Sequence, residues 1–289
     1  MPPLASASGT WQLGQLTVNR MGFGAMRLTG TAAFDLGQVR PRQPALDVLR
    51  LAVDHGVNHI DTAAFYFSPL RSANELINRA LAPYPDDLVI ATKVGPGRDP
   101  AGDWWWATPE QLRGQVEENI RQLGTDHLDL VNLRAANTRD SISELFGALA
   151  DLRQEGLIRE LGVSQVSPAQ LAEAEAIAPV VCVQNSFGVD APERQREFVR
   201  ACGERGIAFV PFFAMAGAGR EQGPGTEQND AVTKLAAARG VSPAQIRLAW
   251  TLHQGPNVLA IPGTGNPAHL LENLAAADLR LTQDELALL

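Results

Sequence analysis

Cysteine is scarce in this chain of 289 residues: there are two, Cys182 and Cys202. They show no C-x-x-C spacing and no histidine pair beside them. We expect two small buried residues, and neither a disulfide nor a metal site. The five histidines offer no pair at metal-ligand spacing, so no metal is expected. No apolar run approaches the ~18 residues that a membrane-spanning helix needs. No charged-then-apolar leader follows Met1, and the expected location is the cytoplasm. Positive charge is in deficit, 24 Lys and Arg against 32 Asp and Glu, for a net charge of −8. An acidic surface argues against a nucleic-acid partner, and any anionic ligand must then be met by local positive groups. No G-x-G-x-x-G opens the first helical segment, which counts against a dinucleotide fold of the Rossmann type.

What is present is alternation. Residues 10–18 read as a hairpin around Gly14-Gln15, and 20–26 as a strand thinned by Gly22 and Gly24. A loop at 29–43 and a helix over 43–55 follow. Strand-like runs then lie at 58–61, 88–94, 128–134, 158–164, 180–186, 208–214 and 258–262. Between and after them, helical runs lie at 72–82, 109–123, 141–155, 168–178, 192–205, 230–239, 243–254 and 267–276. Capping boxes mark five helix starts, at Thr108, Ser141, Ser167, Ser242 and Thr282, three of them followed by Pro109, Pro168 and Pro243. With 20–26 counted there are eight short strands, apolar on both faces and each followed by a helix. The fold class expected is α/β, a (β/α)8 TIM barrel with an N-terminal β-hairpin and extra helices near the C-terminus. Residues 1–289 form one domain in this reading.

In such a barrel the chemistry sits at the C-terminal ends of the strands. Asp61, Lys93, Arg134, Ser164, Gln184 and Phe212 all fall there, and Tyr66 follows Asp61 by five residues. An acid, an amine and a phenol at buried strand ends make poor core residues. Together they make a constellation in which a carboxylate holds an ammonium and the ammonium lowers the pKa of a phenol. Two long connections, 95–107 with Trp104, Trp105 and Trp106, and 215–229, are lid or specificity candidates. The tryptophans either pack under their loop or line a pocket for a flat substrate.

The segments GFGAM (22–26), HIDTAAFY (59–66), IATKVG (90–95), LDLVNLR (128–134), LGVSQV (161–166), VQNSF (183–187), VPFFAM (210–215) and IPGT…HLLEN (261–273) resemble, in order, those of the aldo-keto reductase family. The resemblance implies a barrel that binds a nicotinamide cofactor, NADPH with NADH possible, and reduces aldehydes and ketones. It implies Tyr66 as proton donor, Lys93 as its cation and Asp61 as the anchor. The family's histidine at the end of the fourth strand is Arg134 here. That is a departure: arginine gives no proton near neutral pH but supplies a fixed charge and N–H donors. The alternative for Arg134 is a salt bridge pointing away. The VNLR run and the PFF after the seventh strand are similar to a bacterial subgroup that includes pyridoxal reductases. Pyridoxal carries an ionisable phenol beside its aldehyde, and a fixed cation suits it.

For the cofactor, the resemblance sets Gly24, Met26 and Asp61 along the site, and Ser164 and Gln184 on the carboxamide. Gln165 stands where Asn is usual. Phe212 and Phe213 are implied as the stacking aromatics, or are core residues of a strand end. Gly263, Thr264, His269, Glu272 and Asn273 are implied for the phosphates and adenine, with Arg220 as a possible added charge. The partner expected is a small carbonyl compound; the oligomeric state is open, with a monomer as default. Two other readings stand beside the reductase: a nicotinamide-binding sensor, and a Schiff-base enzyme using Lys93.

Overall fold

A computed structural model describes residues 4–30, 39, 41–99, 101–212 and 229–289. The chain begins with an antiparallel hairpin, β1 (Thr10–Leu13) and β2 (Leu16–Asn19). Its turn has Gly14 at φ +62, a conformation that suits glycine, and the Gln15 amide donates to Glu160 Oε1 at 2.9 Å. Glu160 lies inside the barrel, so this bond pins the hairpin across the barrel floor. Leu13 and Val18 pack there against Val89, Leu130, Cys182, Ala208 and Leu259.

The main sheet is parallel and follows chain order. It runs β3 (Phe23–Gly24), β4 (His59–Asp61), β7 (Val89–Val94), β10 (Leu128–Arg134), β11 (Ile158–Ser164), β12 (Cys182–Gln184) and β13 (Ala208–Phe209). The eighth segment is reduced to two parallel bridges, Phe209 to Val258 and Met21 to Ala260, and these close the ring. Main-chain bonds flank both: Phe209 to Asn257 (2.8 Å), Leu259 to Phe209 (2.9 Å), Ala260 to Arg20 (2.8 Å) and Gly22 to Ala260 (2.8 Å). The expected barrel is therefore present, with its last strand contracted to the residues that bond both neighbours.

Around the barrel lie α1 (Arg42–Asp54), α2 (Ala73–Leu81), α3 (Pro109–Leu123), α4 (Ser143–Gln154), α5 (Pro168–Glu175), α6 (Glu193–Glu204), α7 (Asp230–Arg239), α8 (Pro243–His253), α9 (Pro267–Ala275) and α10 (Gln283–Ala287). Four of the five capping boxes form, at Thr108, Ser167, Ser242 and Thr282. The fifth does not. α4 has Ile142 at its cap position, and the Ser141 hydroxyl donates to Glu173 of α5 at 3.0 Å. Glu173 also accepts from the Ile142 amide at 3.0 Å, so a neighbouring helix satisfies this start. Two further hairpins lie within expected loops: β5 (Phe67–Ser68) with β6 (Arg71–Ser72), and β8 (Pro96–Arg98) with β9 (Trp104–Trp106). Among the described residues no helix is long and apolar enough to cross a membrane.

Strand tilt in an eight-stranded barrel moves the level of contact by one residue per strand, so inward side chains stack in tiers of four from alternate strands. The pairings put Gly24, Lys93, Ser164 and Phe212 on the uppermost tier. Asp61, Asn132, Gln184 and Ile261 form the next. Gly22, Ala91, Gly162 and Val210 lie below, and His59, Leu130, Cys182 and Leu259 below those.

Candidate active site

The two upper tiers hold most of the polar residues of the barrel interior, with His59 and Glu160 lying deeper. Asp61 ends β4, and Lys93 lies across β7 from it with its side chain on the same side of the sheet. The Lys93 ammonium donates to both carboxylate oxygens of Asp61, at 2.9 and 2.7 Å, and to the Thr62 carbonyl at 2.9 Å. Gln184 donates from Nε2 to Asp61 Oδ1 at 2.7 Å. Tyr66 sits in a tight turn after β4, its amide bonded to the Ala63 carbonyl at 3.0 Å. The Lys93 Nζ lies 4.9 Å from the centre of the Tyr66 ring. Asp61, Lys93 and Tyr66 are all more than nine-tenths buried. The structure thus brings together the three residues singled out in the sequence.

Their protonation follows from burial against pairing. For Tyr66, burial is the largest influence and raises the pKa, and the charge of Asp61 adds to the rise. The Lys93 charge, a hydrogen bond with Lys93 and the Arg134 charge all oppose it, but the phenol still ends above its ordinary value. Lys93 does act to lower this pKa, as expected, and so limits a rise that burial imposes. For Lys93 itself, burial acts to lower the pKa, but Asp61 and Tyr66 outweigh it, and the amine is held above its usual value as an ammonium. A lysine so paired is a poor nucleophile, which counts against the Schiff-base reading.

Arg134 ends β10 and lies in register with Ser164. Its guanidinium carbon stands 5.3 Å from the centre of the Phe212 ring, and among the described residues it forms no ion pair. Phe212 is carried past β13 by a bridge to Ser186 and a bond from its amide to the Asn185 carbonyl at 3.1 Å. Phe65 makes edge contacts with both Tyr66 and Trp104, at 5.1 and 5.5 Å between ring centres. Trp104 therefore flanks the Tyr66 turn, while Trp105 packs over Gly97.

Behind the site, on the outer face of the barrel, a buried chain of side chains fixes the strand ends. Thr62 donates to Asn74 at 2.7 Å, Asn74 to Asn119 at 3.0 Å, and Thr92 to Asn119 at 2.6 Å. This network ties the residue after Asp61 and the residue before Lys93 to α2 and α3. Sequence reading missed it, because nothing local marks these four amide and hydroxyl residues on different elements as partners.

A sequence profile described as the aldo/keto reductase family matches residues 20–289. The chain belongs to that family. It is 42% identical over 290 residues to an Escherichia coli (strain K12) protein named pyridoxine 4-dehydrogenase, covering 98% of each chain. It is 37% identical to an uncharacterized oxidoreductase of Schizosaccharomyces pombe, covering 98% of this chain and 89% of that one. A solved aldo/keto reductase of Klebsiella pneumoniae in complex with NADP and acetate superposes with a TM-score of 0.77 at 28% identity, covering 96% of this chain and 93% of that one. As an aldo/keto reductase, the chain is an oxidoreductase.

Of the remaining residues named from the sequence, those that are described come from β3 and the turn after it, from the ends of β11 and β12, and from the connection into α9 and that helix. Ser164 and Gln184 are fully buried, and Ser164 Oγ and Gln184 Oε1 have no hydrogen-bond partner among the described residues. Gln165 follows at φ +58, a strained conformation for a residue with a side chain. Gly24 lies against the last connection: a Cβ there would stand 2.7 Å from the Ile261 carbonyl, and one on Gly263 would meet the Gly24 carbonyl. The close approach at Gly24 is thus to backbone of the same chain. Met26 is half-buried in the turn after β3. Thr264 accepts from the Asn266 amide at 3.0 Å, and Asn266 caps α9 through the Ala268 amide at 2.9 Å. His269 is exposed on α9, Asn273 is buried, and Glu272 accepts a hydrogen bond from Ser242, the cap of α8. Phe213, Arg220 and nearly all of the 215–229 connection lie outside the described residues. Cys182 and Cys202 are buried free thiols; burial pushes Cys202 up to about 12, and Cys182 is raised as well.

Proposed function

We propose that this enzyme reduces an aromatic aldehyde to its alcohol with NADPH, and that pyridoxal is the substrate class it fits best. The observation that carries the reading is the ammonium of Lys93, bonded to both oxygens of Asp61 and set beneath the buried ring of Tyr66. When bound, the dihydronicotinamide supplies hydride to the carbonyl carbon. Tyr66 gives its phenolic proton to the carbonyl oxygen, and Lys93 stabilises the phenolate left behind. Asp61 keeps Lys93 charged and in place.

The unpartnered Ser164 Oγ and Gln184 Oε1 fit a carboxamide, which offers two donors and an acceptor. Phe212 is the stacking aromatic in this proposal. Gly24, Met26, Gly263 and Thr264 line the path toward α9, where backbone amides, the Thr264 hydroxyl and His269 meet phosphate, with Glu272 and Asn273 toward adenine. NADH is the weaker donor in this account, since it carries no 2′-phosphate for His269 to meet.

For the substrate, Arg134 supplies a fixed cation beside the proton donor. The phenolate next to the aldehyde of pyridoxal would pair with it, and Trp104 offers a flat wall beyond Phe65. The E. coli relative's name, pyridoxine 4-dehydrogenase, supports this class, because it describes the same alcohol–aldehyde couple read in the other direction. Consumption of NADPH with pyridoxal and with benzaldehyde, before and after Arg134→His, tests the reading. Turnover of pyridoxal is expected to fall much more than turnover of benzaldehyde. Equal losses on both would refute pairing with the phenolate.

A further inference from the structure

Between α3 and the turn that carries Tyr66 lies a cavity of about 570 Å³ to which the cofactor and substrate readings give no role. Phe65 and Phe67 of that turn form one wall, and Gly114 and Glu118 of α3 face it. None of Tyr66, Arg134, Ser164, Gln184 and Phe212 lines it. Asn119 does, and Asn119 belongs to the buried network on the outer face of the barrel. The cavity is therefore outside the barrel, under the β8–β9 hairpin. Trp105 of that hairpin supplies a further wall: its indole lies across Gly97, in the place that a Cβ there would need, and the residue is 40% exposed.

Most polar side chains around this cavity are already engaged within the protein. Gln115 accepts from the Gly95 amide at 2.7 Å and donates to the Gly95 and Pro96 carbonyls. Asn119 accepts from Asn74 and Thr92 and donates to the Gln115 carbonyl. The two cations at the wall are turned to other partners. Lys93 gives its ammonium to Asp61 and the Thr62 carbonyl. Arg98 donates to the Phe65 and Phe67 carbonyls and lies 4.3 Å from the centre of the Phe67 ring. What is left for a ligand is aromatic surface and carboxylate. Glu118 shares its charge with Arg121, 2.7 Å away. Glu110, also at the wall, has no ion pair among the described residues. The Thr108 hydroxyl donates to it at 2.7 Å and holds its pKa below the usual carboxylate value, so it is ionised at neutral pH. Aromatic faces carry negative charge density, and with an unneutralised carboxylate they favour a flat ligand of positive charge. The volume is in the range that takes a small organic molecule.

We propose that this cavity is a second binding site, for a flat aromatic ligand that carries a protonated amine. Phe67 and Trp105 take the ring, and Glu110 takes the ammonium. Binding there is separate from the reductase reading and is measured without turnover. Phe65 belongs to the same wall and meets Tyr66 edge-on at 5.1 Å between ring centres, so a ligand in this cavity lies against the turn that holds the proton donor.

Calorimetric titration with naphthylmethylamine and with naphthylacetate tests it. The two share ring and linker and differ in charge at neutral pH. The amine is expected to bind at least about tenfold more tightly than the acid. Trp105→Ala and Gly114→Leu should each weaken the amine about tenfold or more, and Glu110→Gln about threefold. A Cβ on Gly114 meets nothing within 4 Å, so the leucine enters open space and leaves the packing of α3 as it is. Gly147 on α4 has the same freedom away from the cavity, and Gly147→Leu is the matched control, expected to leave the affinity unchanged. Arg134→His, at the barrel mouth, should leave it unchanged too. Failure of the amine to bind at millimolar concentration, or equal affinity for the acid, would overturn the proposal. So would full affinity in both Trp105→Ala and Gly114→Leu, or a loss in Arg134→His as large as theirs, which would put the ligand in the mouth.

Discussion

Tyr66 carries the proton in this account, and three measurements bear on its surroundings. Its phenol sits above the ordinary value because burial outweighs the pull of Lys93. A general acid must be protonated, so the reduction rate should stay flat through neutral pH and decline only beyond the range of a free phenol. A decline already at neutral pH would contradict the balance described. Lys93→Met would leave the buried Asp61 carboxylate without its cation, at a cost of about 3–5 kcal/mol in stability. Adding Asp61→Leu should restore much of that stability but none of the activity, whereas a purely structural pair would give back both. His59 is charged more easily in the unfolded chain, where its pKa is near 6.5, than in the fold, where it is about 4. Its folded pKa is depressed and its charged form is the protonated one. Stability is therefore full above 6.5 and falls as acid is added from there to about 4, by about 3 kcal/mol at about 1.4 kcal/mol per tenfold change in proton affinity. Denaturation of wild type and His59→Asn across that range checks it, since the variant should lose this acid slope.

At the level of elements, what was legible in the sequence was what is local. Four capping boxes lie within four consecutive residues each, and α3 and α7 begin and end where the sequence places them. Ser141 misled because the group that satisfies the start of α4 belongs to Glu173, on the next helix. The Trp104–Trp106 run gives no polar–apolar alternation, so its hairpin with Pro96–Arg98 went unread as strand. Asp61, Tyr66 and Lys93 stood out because charge at a buried strand end needs a reason. The Thr62–Asn74–Asn119–Thr92 network did not, because each member looks ordinary until the helices are packed. Ser242 joins two elements, accepting from the Gln245 amide and donating to Glu272 of α9. Ser242→Ala should lower stability by about 1–2 kcal/mol in a denaturant titration. A loss near zero would mean that neither bond contributes.

Across the whole molecule, the barrel has a stoppered floor and a reactive rim. Apolar side chains of the hairpin close one end, and most of the inward polar groups gather at the other, where strand ends meet connections of the kind that vary without disturbing the core. The net charge of −8 makes the cationic groups at that rim, Lys93 and Arg134, local exceptions on an acidic protein. The central claim is that a phenol backed by a tethered ammonium delivers the proton for carbonyl reduction at this rim. The most direct measurement is NADPH oxidation with pyridoxal by wild type and Tyr66→Phe, with NADPH affinity measured alongside. The account expects turnover by wild type, a loss of about 10²-fold or more in the variant, and nearly unchanged NADPH binding. A Tyr66→Phe protein that turns over pyridoxal as fast as wild type would contradict it.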